Sequence, residues 1–299
     1  LKLWNGKEWL WYTVPVRAKR QRHLLGEIKS PSLVLRSGKG QRPYLSVPVR
    51  LQPKPRQDEG VVCAVDVGIN TLATASIVSA DGTVLARRFF HPASDIDRRN
   101  KQALLIRKAA RKTAKLSKGF CSHRYRKAQN INRQIAHVTS KQLVQFAREH
   151  QAHVVVFENL KGWRPSAGRK RSPLRQRFHQ WLHRKLVQYT EEKFAEIGGK
   201  GAFVYARGTS AYAFDGSGKL SRSATQYELA TFSTGKRYNC DLSASYNIGA
   251  RYWARKLKLI HRKDGQVLSG RRSDNTPRIP VTLSTLWLWS VDAPHRSVA

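Results

Sequence analysis

The sequence predicts an α/β domain built on a mixed sheet. Three β-rich runs come first, 61–68, 71–78 and 83–90. The hydrophobic period then turns helical over 97–118 and 122–150. Strand and helix alternate after that, at 153–160, 174–197 and 202–209, and a last helix covers 239–260. Asp81-Gly82, between the second and third runs, is a hairpin signal. The sheet is therefore antiparallel in part, unlike a plain doubly wound fold.

Residues 1–56 read as short strands. "EWLWYTVPV" (8–16) and "SPSLVLRS" (30–37) are apolar-rich, and "SGKGQR" (37–42) is a turn. "PYLSVPVRL" (43–51) alternates, with Leu45, Val47, Val49 and Leu51 on one face. Pro48 cannot donate to a ladder, which predicts an edge strand in a small sheet or barrel. "QPKPRQDEG" (52–60) is a Pro-rich, charged linker.

The run 61–68 sets Val61, Val62, Ala64, Val65 and Val67 around a carboxylate, Asp66. Such a group is costly to bury unless a cation compensates it. The helix at 97–118 carries Leu104, Leu105, Ala109 and Leu116 among nine Lys and Arg. That at 122–150 spaces Ile131, Ile135, Val138, Leu143 and Phe146 helically. The pair predicts two long antiparallel helices whose basic faces suit nucleic acid. Glu158 stands near the end of the fourth strand. A basic loop, "KGWRPSAGRKRSP" (161–173), suits phosphate. The helix at 174–197 shows Leu174, Phe178, Trp181, Leu182, Leu186 and Tyr189 on one face, and Gly198-Gly199 stops it. Residues 210–238 are rich in Gly, Ser and Thr and lack a clear period. Asp241, at the start of the last helix, is placed to cap it. The tail 261–299 is polar and then has "VTLSTLWLWS" (281–290), and it has no evident place.

Charge narrows the function. Lys and Arg number 56 against 19 Asp and Glu, a net +37 spread over 299 residues. Nucleic acid is the partner that neutralises such a surface, with counterion release as the driving force. Eight Trp set the chain apart from short histone-like or ribosomal proteins. Trp163 and Trp181 suit base stacking or a core equally. Cys63, Cys121 and Cys240 are far apart and form no C-x-x-C, which supports neither a disulfide framework nor a zinc site. No apolar run reaches the roughly 18 residues of a membrane span. The expectation is a reducing, cytoplasmic setting with no membrane partner. With no Met and a start at Leu1, an upstream portion is expected outside this sequence.

Among so few acids, Asp66, Glu158 and Asp241 draw notice. They lie 92 and 83 residues apart, so nothing local brings them together. Taken singly, Asp66 reads equally as a turn former, Glu158 as a strand-end charge and Asp241 as a cap. Together they read as ligands. If the first and fourth strands are neighbours, their C-terminal ends converge. A carboxylate cluster binds hard cations such as Mg²⁺ or Mn²⁺. Two such ions, about 3.5–4 Å apart, stabilise both oxygens of a phosphodiester displacement. His153, His179 and His183 are assigned no chemistry. The gap of 83 residues before the last acid disfavours an integrase of the Asp-Asp-Glu type.

The stretches "AVDVGINTLATASIV", "VVVFENLKGW" and "NCDLSASYNIGARYW" resemble the three acidic motifs of a RuvC-like nuclease domain, which has an RNase H-like fold. More narrowly they resemble TnpB proteins of insertion sequences and the related type V CRISPR effectors. Leu33–Leu51 resembles the end of the β-barrel wedge domain before that nuclease. The resemblance covers about 30–258. It implies a partial wedge at 1–56, a RuvC-like domain at 59–258 with a zinc-ribbon region at 206–240, and a tail at 261–299. It implies Asp66, Glu158 and Asp241 as catalytic, metal-binding residues holding two Mg²⁺ or Mn²⁺. It implies RNA-guided cutting of DNA, with guide RNA and double-stranded and displaced single-stranded DNA as partners. The insertion 97–150 and the helix after Glu158 would line the channel. Arg107, Arg111, Lys115, Arg126, Arg169, Lys170, Arg171, Arg175 and Arg177 are the candidate phosphate contacts. The ribbon keeps only Cys240, so no structural zinc is expected. Such degeneracy keeps open a second reading, a targeting protein that works with transposition proteins and does not cut.

Overall fold

A computed structural model describes residues 2–13, 26–35, 43–52, 60–68, 71–113, 116–161, 182–223, 226–257, 259 and 280–291. The chain divides into two units, Leu1–Lys54 and Pro55–Ala299.

In the first unit, β1 (Lys2–Trp4) pairs with β2 (Trp9–Trp11). Strand β3 (Glu27–Ile28) pairs with β6 (Val49–Arg50), and β4 (Ser32–Val34) with β5 (Tyr44–Ser46). All three pairs are antiparallel, and among the described residues they remain separate. The single alternating strand expected over 43–51 is split between two partners. Pro48 sits at the break, where it lacks an N–H for the ladder. Its carbonyl still accepts from Lys29 N at 2.9 Å. Val47 and Leu51, expected to share a covered face, are exposed, and no described residue of this unit is buried.

The second unit is built on β7 (Val61–Asp66), β8 (Ala73–Ser79), β9 (Val84–Phe90), β10 (Val154–Asn159) and β11 (Lys200–Tyr205). Their order is β11-β10-β7-β8-β9. Strand β10 is parallel to β7 and β11, whereas β8 is antiparallel to both its neighbours. The sheet is thus mixed, as expected. The hairpin turn forms where Asp81-Gly82 predicts it. Gly82 has φ +88°, which glycine adopts without a Cβ clash. The Asp81 carboxylate accepts from Thr83 N at 3.1 Å and from the Ser79 hydroxyl. Strands β7 and β8 are buried through their middles, β7 as a continuous apolar run and β8 with Thr74 and Ser76 buried among apolar residues. Strand β9 is an edge, and its exposed residues include Arg87, Arg88 and Phe89.

Alternate residues serve the two faces. Cys63, Val65, Val155 and Phe157 pack with the helices α1 (Ala93–Arg111), α2 (Ser122–Glu149) and α3 (His183–Ala195). Val62, Ala64, Val154 and Val156 pack beneath α4 (Cys240–Lys256) and α5 (Leu283–Val291). Helix α1 starts and ends earlier than expected, and Leu116 is exposed beyond it. In α2 the buried stripe runs Ile131, Ile135, Thr139, Leu143, Phe146, so Val138 falls on the solvent side. Helix α3 stops at Gly198, with φ +84°, and Gly199 N donates to Phe194 O at 2.9 Å. Leu174, Phe178 and Trp181 lie outside the described residues.

Helix α4 is buried from Cys240 to Ala254 apart from Asp241. Gly249 allows its close approach to the sheet, since a Cβ there would lie 2.7 Å from Val78 Cγ2. Trp253 Nε1 donates to Val78 O at 3.0 Å. The aperiodic stretch before α4 folds as a small antiparallel sheet of β12 (Ser221–Arg222), β13 (Leu229–Thr231) and β14 (Arg237–Asn239). Rings hold it. Phe214 lies 5.6 Å from Phe232, 5.0 Å from Tyr238 and 5.2 Å from Tyr246 of α4. The tail segment finds its place as α5, whose Leu286 is fully buried and whose Ser290 Oγ donates to Asp81 O at 3.3 Å. Among the described residues no helix is long and apolar enough to cross a membrane.

Candidate functional site

Asp66 ends β7, and Glu158 is the last residue but one of β10. The parallel register sets Phe157 beside Val65, so Glu158 and Asp66 stand at the same level on neighbouring strands. By parity both belong to the face of Val62, Ala64, Val154 and Val156, the face α4 covers. Both lie at the C-terminal ends of parallel strands, where α/β sheets hold ligands. The N-terminus of α4 supplies the third acid.

Asp241 does not cap that helix. Asn239 does, its Oδ1 accepting from Asp241 N and Leu242 N, both at 3.0 Å. Asn239 has the extended backbone of a cap residue, whereas Asp241 is already helical. The Asp241 carboxylate is therefore not spent on the cap, and the first turn of the helix favours its negative charge.

The three acids share one field. Burial pushes Asp66 well above the usual carboxylate range, and the charges of Glu158 and Asp241 push it further. Arg222 and the Val67 N–H oppose this. Burial also raises Glu158, against the Thr209 hydroxyl and the Arg251 charge. Burial raises Asp241 too, and the nearby Glu228 adds to it; the Cys240 thiol, Arg222 and the Thr71 hydroxyl oppose it. Burial first, and then Asp241, drive the Cys240 thiol up to about 12. It stays protonated and acts as a donor, 3.3 Å from Tyr227 O and 3.5 Å from Asp241 Oδ1.

Crowded carboxylates of this kind are relieved by a cation, and an all-oxygen set suits a hard one. Among the described residues no three His, Cys, Asp or Glu side chains are gathered closely enough to hold a metal ion as they stand.

Other side chains complete the site. Thr209 Oγ1 donates to Glu158 Oε1. Asn247 and Arg251, both buried in α4, bind the loop that carries Thr209. Arg222, on β12, donates to Ser210 O at 2.8 Å and brings positive charge to Asp66 and Asp241. Sequence reasoning missed these four. The one available signal was Asn247 and Arg251, polar residues four apart and so on one face of the helix.

Of the basic candidates, Arg107 and Arg111 are exposed on α1 and Arg126 on α2. Helices α1 and α2 pack on each other, and Arg99 Nη1 reaches Asn132 Oδ1 at 3.4 Å. Lys115, Arg169, Lys170, Arg171, Arg175 and Arg177 lie outside the described residues, as do Trp163 and Trp181.

Over 109 residues, 35% of its length, the chain is 36% identical to a TnpB-like protein of Aquifex aeolicus (strain VF5). The chain is related to TnpB-like proteins. The match spans 35% of that relative's own length. A cryo-EM structure of a Cas12f1–sgRNA–target DNA complex aligns with this TnpB-related chain at 15% identity and a TM-score of 0.48, covering 71% of this chain and 54% of that one. A CRISPR-Cas12f ternary complex aligns at 13% identity and a TM-score of 0.40, covering 73% and 44%. No family model matches.

Proposed function

We propose that this chain is the RuvC-like part of a TnpB-like, RNA-guided, metal-dependent DNA endonuclease, with guide RNA and target DNA as partners. The observation that carries the reading is the meeting of Asp66, Glu158 and Asp241 at one end of the sheet. The strand order, with only β8 reversed, supports an RNase H-like fold. The net charge of +37 and the relation to a TnpB-like protein support a nucleic-acid substrate. We assign 1–56 to the wedge, 59–258 to the nuclease domain and 206–240 to its ribbon region.

Asp66, Glu158 and Asp241 would hold two Mg²⁺ or Mn²⁺. Asp66, on which the charges of both other acids act, would be among the ligands. Divalent ions held there would supply Lewis-acid activation of water and stabilisation of the leaving oxygen. Thr209 and Arg251 favour ionised Glu158, and Thr71 and the Cys240 thiol favour ionised Asp241. These groups oppose the rise that burial causes, and a bound cation would favour the charged form further.

The test is DNA cleavage by protein purified with its co-expressed RNA, wild type against Asp66→Ala, in Mg²⁺ and in EDTA. The expected result is Mg²⁺-dependent cutting that the variant loses while it still binds. Guide-dependent binding without cutting by the wild type overturns the nuclease reading and leaves a targeting protein.

A further inference from the structure

Glu158 stands near the end of β10, where the ladder fixes its backbone but not its three side-chain torsions. Its carboxylate is held by one hydroxyl. Thr209 Oγ1 donates to Glu158 Oε1 from the loop that follows β11. The same hydroxyl lies 2.8 Å from Ala206 O. One proton serves one acceptor at a time, and the charge-assisted bond to a carboxylate is the stronger.

The loop itself is tied to α4. Asn247 Nδ2 donates to Thr209 O at 3.0 Å and to Tyr212 O at 2.9 Å, and its Oδ1 accepts from Leu283 N at 3.3 Å. Both amide hydrogens and the amide oxygen are used, so the network sets the orientation of the group. One turn on, Arg251 Nη1 donates to Tyr205 O at 2.6 Å and to Arg207 O at 3.1 Å. Two buried side chains of one helix therefore hold both ends of the segment 205–212. The same helix carries Asp241 in its first turn.

We infer that Thr209 is the positioning residue of Glu158, and that α4 sets two of the three acids: Asp241 directly, and Glu158 through Asn247, Arg251 and Thr209. The catalytic consequence rests on the nuclease reading above; the geometry does not. Helix α5 joins the same network through the Leu283 N–H, so the C-terminal segment buttresses the site from behind.

The experiment compares wild type, Thr209→Val and Thr209→Ser in the full chain with its RNA. Ca²⁺ binding is read by calorimetry, cleavage by kcat and KM, and Glu158 by crystal structures. Thr209→Val is expected to bind Ca²⁺ about tenfold more weakly. Its kcat is expected to fall about 100-fold with KM for DNA unchanged. Thr209→Ser keeps the hydroxyl and is expected to restore both. In the structures Glu158 should leave its place in the Val variant and keep it in the Ser variant. Should the Val variant fail to fold, Thr209→Ala removes the hydroxyl without added volume and carries the same expectation. A Glu158 that stays in place without the hydroxyl, or unchanged Ca²⁺ binding, overturns the positioning role. A wild type that binds no divalent ion overturns the nuclease reading instead, and the Glu158 comparison still decides the inference.

Discussion

The two faces of the central sheet come from alternate residues of the same strands, yet they end differently. On one, Cys63, Val65, Val155 and Phe157 meet Ile135, Leu143, Phe146, Leu186 and Phe194 in an apolar layer. On the other, Val62, Ala64, Val154 and Val156 meet Ile248, Trp253 and Leu286, and the strand ends then turn to Asp66 and Glu158. Buried charge adds little to stability and often subtracts from it. The face under α1, α2 and α3 therefore carries stability, and the face under α4 gives some of it up to keep three carboxylates together.

The sharpest way to break this contrast is at Asp66. Asp66→Asn should abolish metal-dependent cleavage, by about a thousandfold or more, while raising the melting temperature of the metal-free protein by about 2–4 °C for each kcal/mol of relieved repulsion. Cleavage assays and thermal melts read the two effects on one sample. A variant both inactive and less stable would show that Asp66 belongs to the structural side of the contrast. On the opposite face, Phe157→Ala should cost about 3–5 kcal/mol in a denaturant titration, through lost transfer energy and a cavity. A loss under about 1 kcal/mol would mean that this layer is not the stable one.

The contrast sharpens with pH. The folded Asp66, Glu158 and Asp241 hold their protons to higher pH than the unfolded chain does. The unfolded state therefore binds fewer protons as pH rises above the ordinary Asp value of 3.8, and stability from these groups falls across that window. The melting-temperature gap between Asp66→Asn and wild type should widen from pH 4 to pH 8, and Mg²⁺ should close it. A gap independent of pH would refute the shared field. The smallest effect is at the cap. Asn239→Ala should lose about 1 kcal/mol by removing the acceptor for Asp241 N and Leu242 N, whereas an Asp241→Asn variant should leave the cap intact and stability no lower.

Much of the fold was legible because it is written in short-range chemistry. The Asp81-Gly82 turn, the Gly198 stop and the apolar stripe of α2 all depend on neighbours within a few residues. The misreadings also have local causes. Pro48 predicts an edge strand over 43–51, but its missing N–H instead divides the run between two partners. Asp241 was placed as a cap because Asp and Asn compete for that role, and the backbone gives it to Asn239, two residues earlier. The small sheet of β12, β13 and β14 was invisible because rings far apart in sequence hold it: Phe214, Phe232, Tyr238 and Tyr246 have no common period.

By itself the sequence determined the strands of the central sheet and the long helices beside it, the strongly basic character of the chain and the three acids worth watching. Each of these follows from residue type and local spacing. Only the tertiary structure decided that β10 lies beside β7 in a register that levels Glu158 with Asp66. It also decided that α4 brings Asp241 to them and that Thr209, Asn247 and Arg251 stand behind them. Those pairings join residues dozens of positions apart. They are selected by how whole faces bury one another, and no local pattern in the chain encodes that choice.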